Sequence, residues 1–188
     1  MDPTQERALV GRLRAGERAA FDEVYEWLRD RVLRFLVRLC QRRDVADDLA
    51  QEVWLRLARS APQLAPDTRL TAWLFTVARN LHVSHWRARR VADQLAGDLL
   101  PPAPPAPSPF DDAARSQTSA RVERALAALP EPYREILLLC AVEGLAPREA
   151  AEVLGIKPEA ARQRLARARA MIEASIDPGR RYAEGDPP

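Results

Sequence analysis

The sequence predicts an all-α protein made of two small helical domains joined by a proline-rich flexible linker, the second containing a helix-turn-helix. Three observations carry this reading. Apolar residues recur at offsets of three and four through the long segments, the repeat of one buried helix face. Six of the sixteen prolines fall within residues 101–109, PPAPPAPSP, a density that no packed helix or central strand survives. Two short helical patterns are joined by the tight turn Gly155-Ile156-Lys157.

Residues 5–14 read as a short helix ended by Gly16. From Glu17 to about Arg42 a long helix follows, with Phe21, Val24, Leu28, Val32, Phe35, Leu36 and Leu39 as its core stripe. Asp44 is placed to cap the next helix, which runs to about Arg59 and buries Val45, Leu49, Val53 and Leu57. Its opposite flank gathers Asp47, Asp48, Gln51, Glu52 and Leu55, an acidic patch with an apolar neighbour that suits a basic partner helix. The acids of the first turns also complement the helix dipole. Ser60–Asp67, with two prolines, is expected to be a loop.

The stretch from Thr68 to Arg90 holds Arg69, Arg79, Arg87, Arg89, Arg90 and both histidines, and no acid. Leu70, Trp73, Leu74, Val77 and Leu81 form its apolar face; Phe75, Arg79, Val83, Trp86 and Arg90 form a second one, with Thr76, Asn80 and Arg87 beside it. Rings interleaved with guanidinium groups suit single-stranded nucleic acid, whose bases stack while cations follow the phosphates. Beyond the linker, the apolar pattern resumes near Ala113 and continues through Val122, Leu126 and Leu129 to the break at Pro130-Glu131-Pro132. A helix from Tyr133 to about Val142 stops at Gly144.

Pro147–Leu154 and Pro158 to about Ile176 form the helix-turn-helix, with Pro158 suited to the first helical position and Ala151 letting the pair approach closely. Ala161, Leu165, Ala168 and Ile172 are assigned inward. Arg162, Gln163, Ala166 and Arg167 point outward, where Arg and Gln can read guanine and adenine edges. Arg148, Lys157, Arg164 and Arg169 flank them, suited to phosphates, although Arg169 equally serves the helix dipole or solvent.

The net charge of +2 conceals an asymmetry: residues 1–90 carry 17 basic and 12 acidic side chains, residues 91–117 carry 1 and 4, and the remainder 11 and 11. The basic field is N-terminal. Of the 29 basic residues all but Lys157 are arginine, a weak pointer to bidentate contact with phosphate or guanine. There is no apolar leader and no run near the roughly 18 residues of a membrane span, so a cytoplasmic protein without membrane insertion is expected. Cys40 and Cys140 stand singly in apolar patterns and read as buried thiols, with no metal site. No P-loop, glycine-rich phosphate loop or nucleophile–base pair is present, so no enzyme and no cofactor is expected.

Three stretches, DVADDLAQEVWLRLAR (Asp44–Arg59), TAWLFTVARNLHVSHWRARR (Thr71–Arg90) and LPEPYREILLLCAVEGLAPREAAEVLGIKPEAARQRLARAR (Leu129–Arg169), together resemble the extracytoplasmic-function (ECF) sigma factors of bacterial RNA polymerase, in that family's order. The resemblance implies a region 2 over residues 1–92 and a region 4 over 113–176; composition gives the linker over 93–112 and a disordered tail over 177–188. It implies that Asp47, Asp48, Gln51 and Glu52 dock on the β′ coiled coil of core polymerase, and that loop 60–67 corresponds to the loop that captures a flipped base. Trp73, Arg79, Asn80, His82, His85, Trp86 and Arg90 then bind and open the minus-ten element. Arg148, Lys157, Arg162, Gln163, Arg164, Ala166 and Arg167 contact the minus-thirty-five element, with region 4 also resting on the β flap. An anti-sigma factor is implied as a further partner. Pro158-Glu159-Ala160-Ala161 departs from the family's common pattern ahead of the first arginine, and Ala166 stands where a larger side chain is often found, which leaves base preference open. A stand-alone helix-turn-helix regulator is the alternative; it leaves the aromatic-basic helix without a task.

Overall fold

In the computed structural model, residues 3–95 and 117–176 are described. Among them are eight α-helices and no strand, which agrees with the predicted all-α class. They divide into an N-terminal and a C-terminal unit. The linker and tail assigned from the sequence, and Ala113, lie outside the described residues apart from the linker's first positions, which continue the last helix of the first unit.

The first unit consists of α1 (Pro3–Arg14), α2 (Arg18–Cys40), α3 (Arg43–Ser60) and α4 (Leu70–Leu95). Gly16, at φ 78°, ends α1: its N–H donates to Leu13 O at 3.0 Å and that of Glu17 to Arg12 O at 3.1 Å, so the last carbonyls are satisfied as the chain reverses. α2 packs on α3 and α4 and brings Val24, Leu28, Val32, Phe35, Leu36 and Leu39 into the core. Phe21 stands apart from that stripe, half-buried in an aromatic cluster. Asp44 is not the cap of α3. The helix starts at Arg43, and Asp44 inside the first turn pairs with the Arg42 guanidinium just before it. This pair holds the Asp44 carboxyl below the usual carboxylate range, helped by the Val45 backbone.

Ser60 completes α3, and the expected loop opens with a 3₁₀ turn over Ala61–Gln63, pinned by buried Ala61 and Leu64. The start of α4 receives its acceptor from α1. Glu6, buried, accepts from Thr71 N at 2.9 Å and from Thr71 Oγ1 at 3.2 Å. Arg69, which precedes the helix, has no acceptor side chain, so a carboxylate far away in sequence satisfies the orphan amide and the positive helix end.

The second unit comprises α5 (Gln117–Ala128), α6 (Glu131–Leu137, widening into a π turn over Leu138–Val142), α7 (Pro147–Leu154) and α8 (Pro158–Ile176). α8 packs against α5, α6 and α7. Arg134 reaches back to the end of α5 and donates to the carbonyls of Leu126, Ala127 and Leu129 at 3.2, 2.9 and 2.7 Å. Its partial burial lowers the guanidinium pKa through desolvation. Glu149 accepts from the Ala146 backbone N–H at 2.7 Å, one half of a capping box. Gly155, at φ 64°, closes α7, and Ile156 N–H donates to Ala151 O at 3.0 Å. Buried Ala150 and Ala151 leave room for α8.

Candidate nucleic-acid and partner interfaces

On α3 the buried row is Val45, Ala46, Leu49, Ala50, Val53 and Leu57, which turns the acidic flank outward as expected. Asp48 and Gln51 are exposed, and Leu55 beside them keeps 50% of its surface in solvent. Asp47 pairs with Arg43 at 3.0 Å and Glu52 with Arg56 at 3.3 Å. Both pairs span one helical turn at the surface and contribute only a few tenths of a kcal/mol, about 0.3–0.5 each. A basic partner could therefore take these carboxylates at little cost. The sequence reading missed the neighbours of this flank. Trp54 meets Tyr25 edge-on at 4.9 Å and Phe21 at 6.5 Å, so aromatic surface borders the acids. The signal was the i, i+4 spacing of Phe21 and Tyr25; Phe21 was assigned to the core stripe, and Tyr25 and Trp54 were given no place.

On α4 the observed faces differ from the expected ones. Leu70, Leu74 and Leu81 are buried as predicted, whereas Trp73 and Val77 are half-exposed. Phe75 belongs to the core, edge-on to Phe35 at 5.1 Å, and not to the outer aromatic face. His82 likewise turns inward. It is 2% exposed, with Nδ1 3.3 Å from Cys40 Sγ, so the expectation that it contacts DNA is corrected. Both corrections come from the helix rotating its core stripe toward the position four residues after Ala78. Asn80, Arg87 and Arg90 are exposed; Arg79, His85 and Trp86 are half-exposed. The Arg89 guanidinium lies 5.7 Å from the centre of the Trp86 ring. Nε2 of His85 and Nε of Arg89 are buried without a hydrogen-bond partner.

In the second unit, Ala161, Leu165 and Ala168 are buried and Arg162, Gln163, Ala166 and Arg167 are exposed on the opposite side of α8, as the sequence predicted. Arg162 pairs with Glu159 at 3.0 Å. Arg148 on α7 and Lys157 in the turn are exposed alongside them, while Arg164 is half-buried on the flank. Cys140 is half-buried in the π turn, where desolvation pushes its thiol pKa up.

A four-helix unit with an acidic flank and a basic aromatic helix, followed by a helix-turn-helix unit, is the make-up of sigma-70-type proteins. The family models agree: sigma-70 region 2 matches residues 24–91 and sigma-70 region 4 matches residues 119–172. The RNA polymerase sigma factor CarQ of Myxococcus xanthus is 34% identical over 155 residues, covering 81% of this chain and 87% of that protein. The ECF RNA polymerase sigma factor SigE of Mycolicibacterium smegmatis is 32% identical over 165 residues, covering 84% of this chain and 63% of that protein. The solved structure of CnrH in complex with the cytosolic domain of CnrY superposes with a TM-score of 0.69 at 25% identity, covering 95% of this chain and 99% of that one. The chain belongs to the ECF sigma factors of RNA polymerase.

Proposed function

We propose that this sigma factor binds core RNA polymerase through the α3 flank and directs initiation by reading one promoter element with α8 and opening another with α4. The single observation that carries this is α4 itself: an acid-free helix over residues 70–92 that exposes Asn80, Arg87 and Arg90 and half-exposes Trp73, Arg79, His85 and Trp86. Extruding a base costs a few kcal/mol, about what stacking on rings returns at roughly 1–3 kcal/mol per base. Opening at the minus-ten element therefore needs no nucleotide hydrolysis by this chain, which acts as a specificity subunit and not as the catalyst. His82 supports the helix from within.

Asp47, Asp48, Gln51 and Glu52 are assigned to the β′ coiled coil, a surface widened by Phe21, Tyr25 and Trp54. Arg162, Gln163, Ala166 and Arg167 are assigned to base edges of the minus-thirty-five element and Arg148, Lys157 and Arg164 to its phosphates. Residues 1–92 and 113–176 would act as the two modules, tethered by 93–112, with region 4 also on the β flap. Among the described residues no helix is long and apolar enough to cross a membrane. We place the protein in the cytoplasm with its polymerase, under the control of an anti-sigma protein that clamps the modules. Pull-down of core polymerase, followed by promoter-dependent run-off transcription, tests the reading. Binding with specific run-off is expected; failure to bind core would favour a stand-alone helix-turn-helix regulator.

A further inference from the structure

Along α4 the core-facing row changes chemistry where the apolar packing ends. Leu74, Ala78 and Leu81 give way to His82, His85, Trp86 and Arg89. One turn beyond His82, the Trp86 indole meets the His82 ring edge-on, with centroids 6.2 Å apart and planes at 68°. His85 meets the same indole at 5.5 Å and 88°, and the Arg89 guanidinium lies 5.7 Å from its centre. All three neighbours sit on α4. His82 also reaches another helix, because its Nδ1 lies 3.3 Å from Sγ of Cys40, the last residue of α2.

A buried imidazole is an expensive filler, since its polar atoms must be met inside the core. Leucine would occupy the place without that demand. The histidine instead fixes one ring orientation, set by the thiol on one side and presented to the indole on the other. We propose that Cys40 and His82 are a positioning pair for Trp86, holding the indole at the angle in which α4 offers it to the unpaired promoter strand. Neither member of the pair touches DNA. The inference rests on the reading of Trp86 as a DNA-facing residue given above.

The test uses holoenzyme carrying the full chain, on a promoter that supports run-off, with 2-aminopurine in the minus-ten element to report opening. Cys40→Ala is expected to slow opening about five- to tenfold, in line with the loss that small misplacements of a working group produce. Core binding and closed-complex affinity stay within about twofold, because only the step that uses the indole is affected. Cys40→Ser, which keeps a hydrogen-bonding group beside Nδ1, restores the rate. In 5-fluorotryptophan-labelled protein, the resonance lost in Trp86→Phe shifts in Cys40→Ala and returns in Cys40→Ser. If Cys40→Ala is too unstable, His82→Phe, which keeps a ring and drops the nitrogens, is read in the same way. Wild-type opening with an unmoved resonance in these variants overturns the proposal, as does an equal loss in the serine and alanine variants. Trp86→Ala separates the two levels. If it opens promoters normally, the DNA-facing reading of Trp86 falls and this inference with it; if it slows opening while Cys40→Ala does not, the positioning role alone falls.

Discussion

Glu6 holds the start of α4 although 65 positions separate it from Thr71 in the chain. Sequence reasoning could not have found it, because capping rules look a few residues upstream and Arg69 offers nothing there. Replacing Glu6 by alanine removes an acceptor from an orphan amide and leaves the positive helix end without its carboxylate. About 1–2 kcal/mol should be lost from the stability of the first unit, measured by urea unfolding of the full chain. Asp44 gives a pH signature. Its carboxyl is depressed mainly by the hydrogen bond from Arg42, so the stabilisation is present above the ordinary carboxylate pKa and is lost as pH falls through the lower folded value. Asp44→Asn should therefore unfold more readily than the parent at neutral pH, and the two melting curves should converge in acid below that range.

At the level of elements, the helices were legible because their apolar repeat is strong. The α7–α8 turn came out of Pro147, Gly155 and Pro158 almost to the residue. What the repeat could not fix is the rotation of α4. Its row of large side chains is wide enough to accept several registers, and only packing against Phe35 and Cys40 selects the one that buries Phe75 and His82. The acidic flank of α3 was legible because charge and apolarity separate cleanly there, whereas its aromatic border needed two helices brought together. Gly155 meets no atom within 4 Å of an added Cβ, so Gly155→Ala probes backbone conformation alone. The left-handed φ should make the alanine variant about 1 kcal/mol less stable by thermal unfolding. Ala146→Ser would supply the missing half of the capping box beside Glu149, and should raise stability by about 0.5–1 kcal/mol in the same assay.

Across the whole molecule, the proposed reading gives two surfaces of opposite charge to different partners. Asp48→Arg combined with Glu52→Arg reverses the α3 flank at positions where the side chains contribute little to folding. Loss of core-polymerase binding with an unchanged circular dichroism spectrum is expected; full binding would remove the docking assignment. In the proposed reading, Arg162 gives up an exposed pair with Glu159 for a base edge in the groove. Its alanine variant should lose about 1–3 kcal/mol at a single base pair, scored by competition among promoter sequences, whereas a uniform loss would mark a phosphate contact.

α8 anchors its unit by one side and displays Arg162, Gln163, Ala166 and Arg167 on the other. Changes in that outer row are physically separate from the buried alanines and leucine beneath it, so they should leave the scaffold undisturbed. If that row reads bases as proposed, a lineage could reset its choice of genes there, as movable type is reset in an unchanged frame.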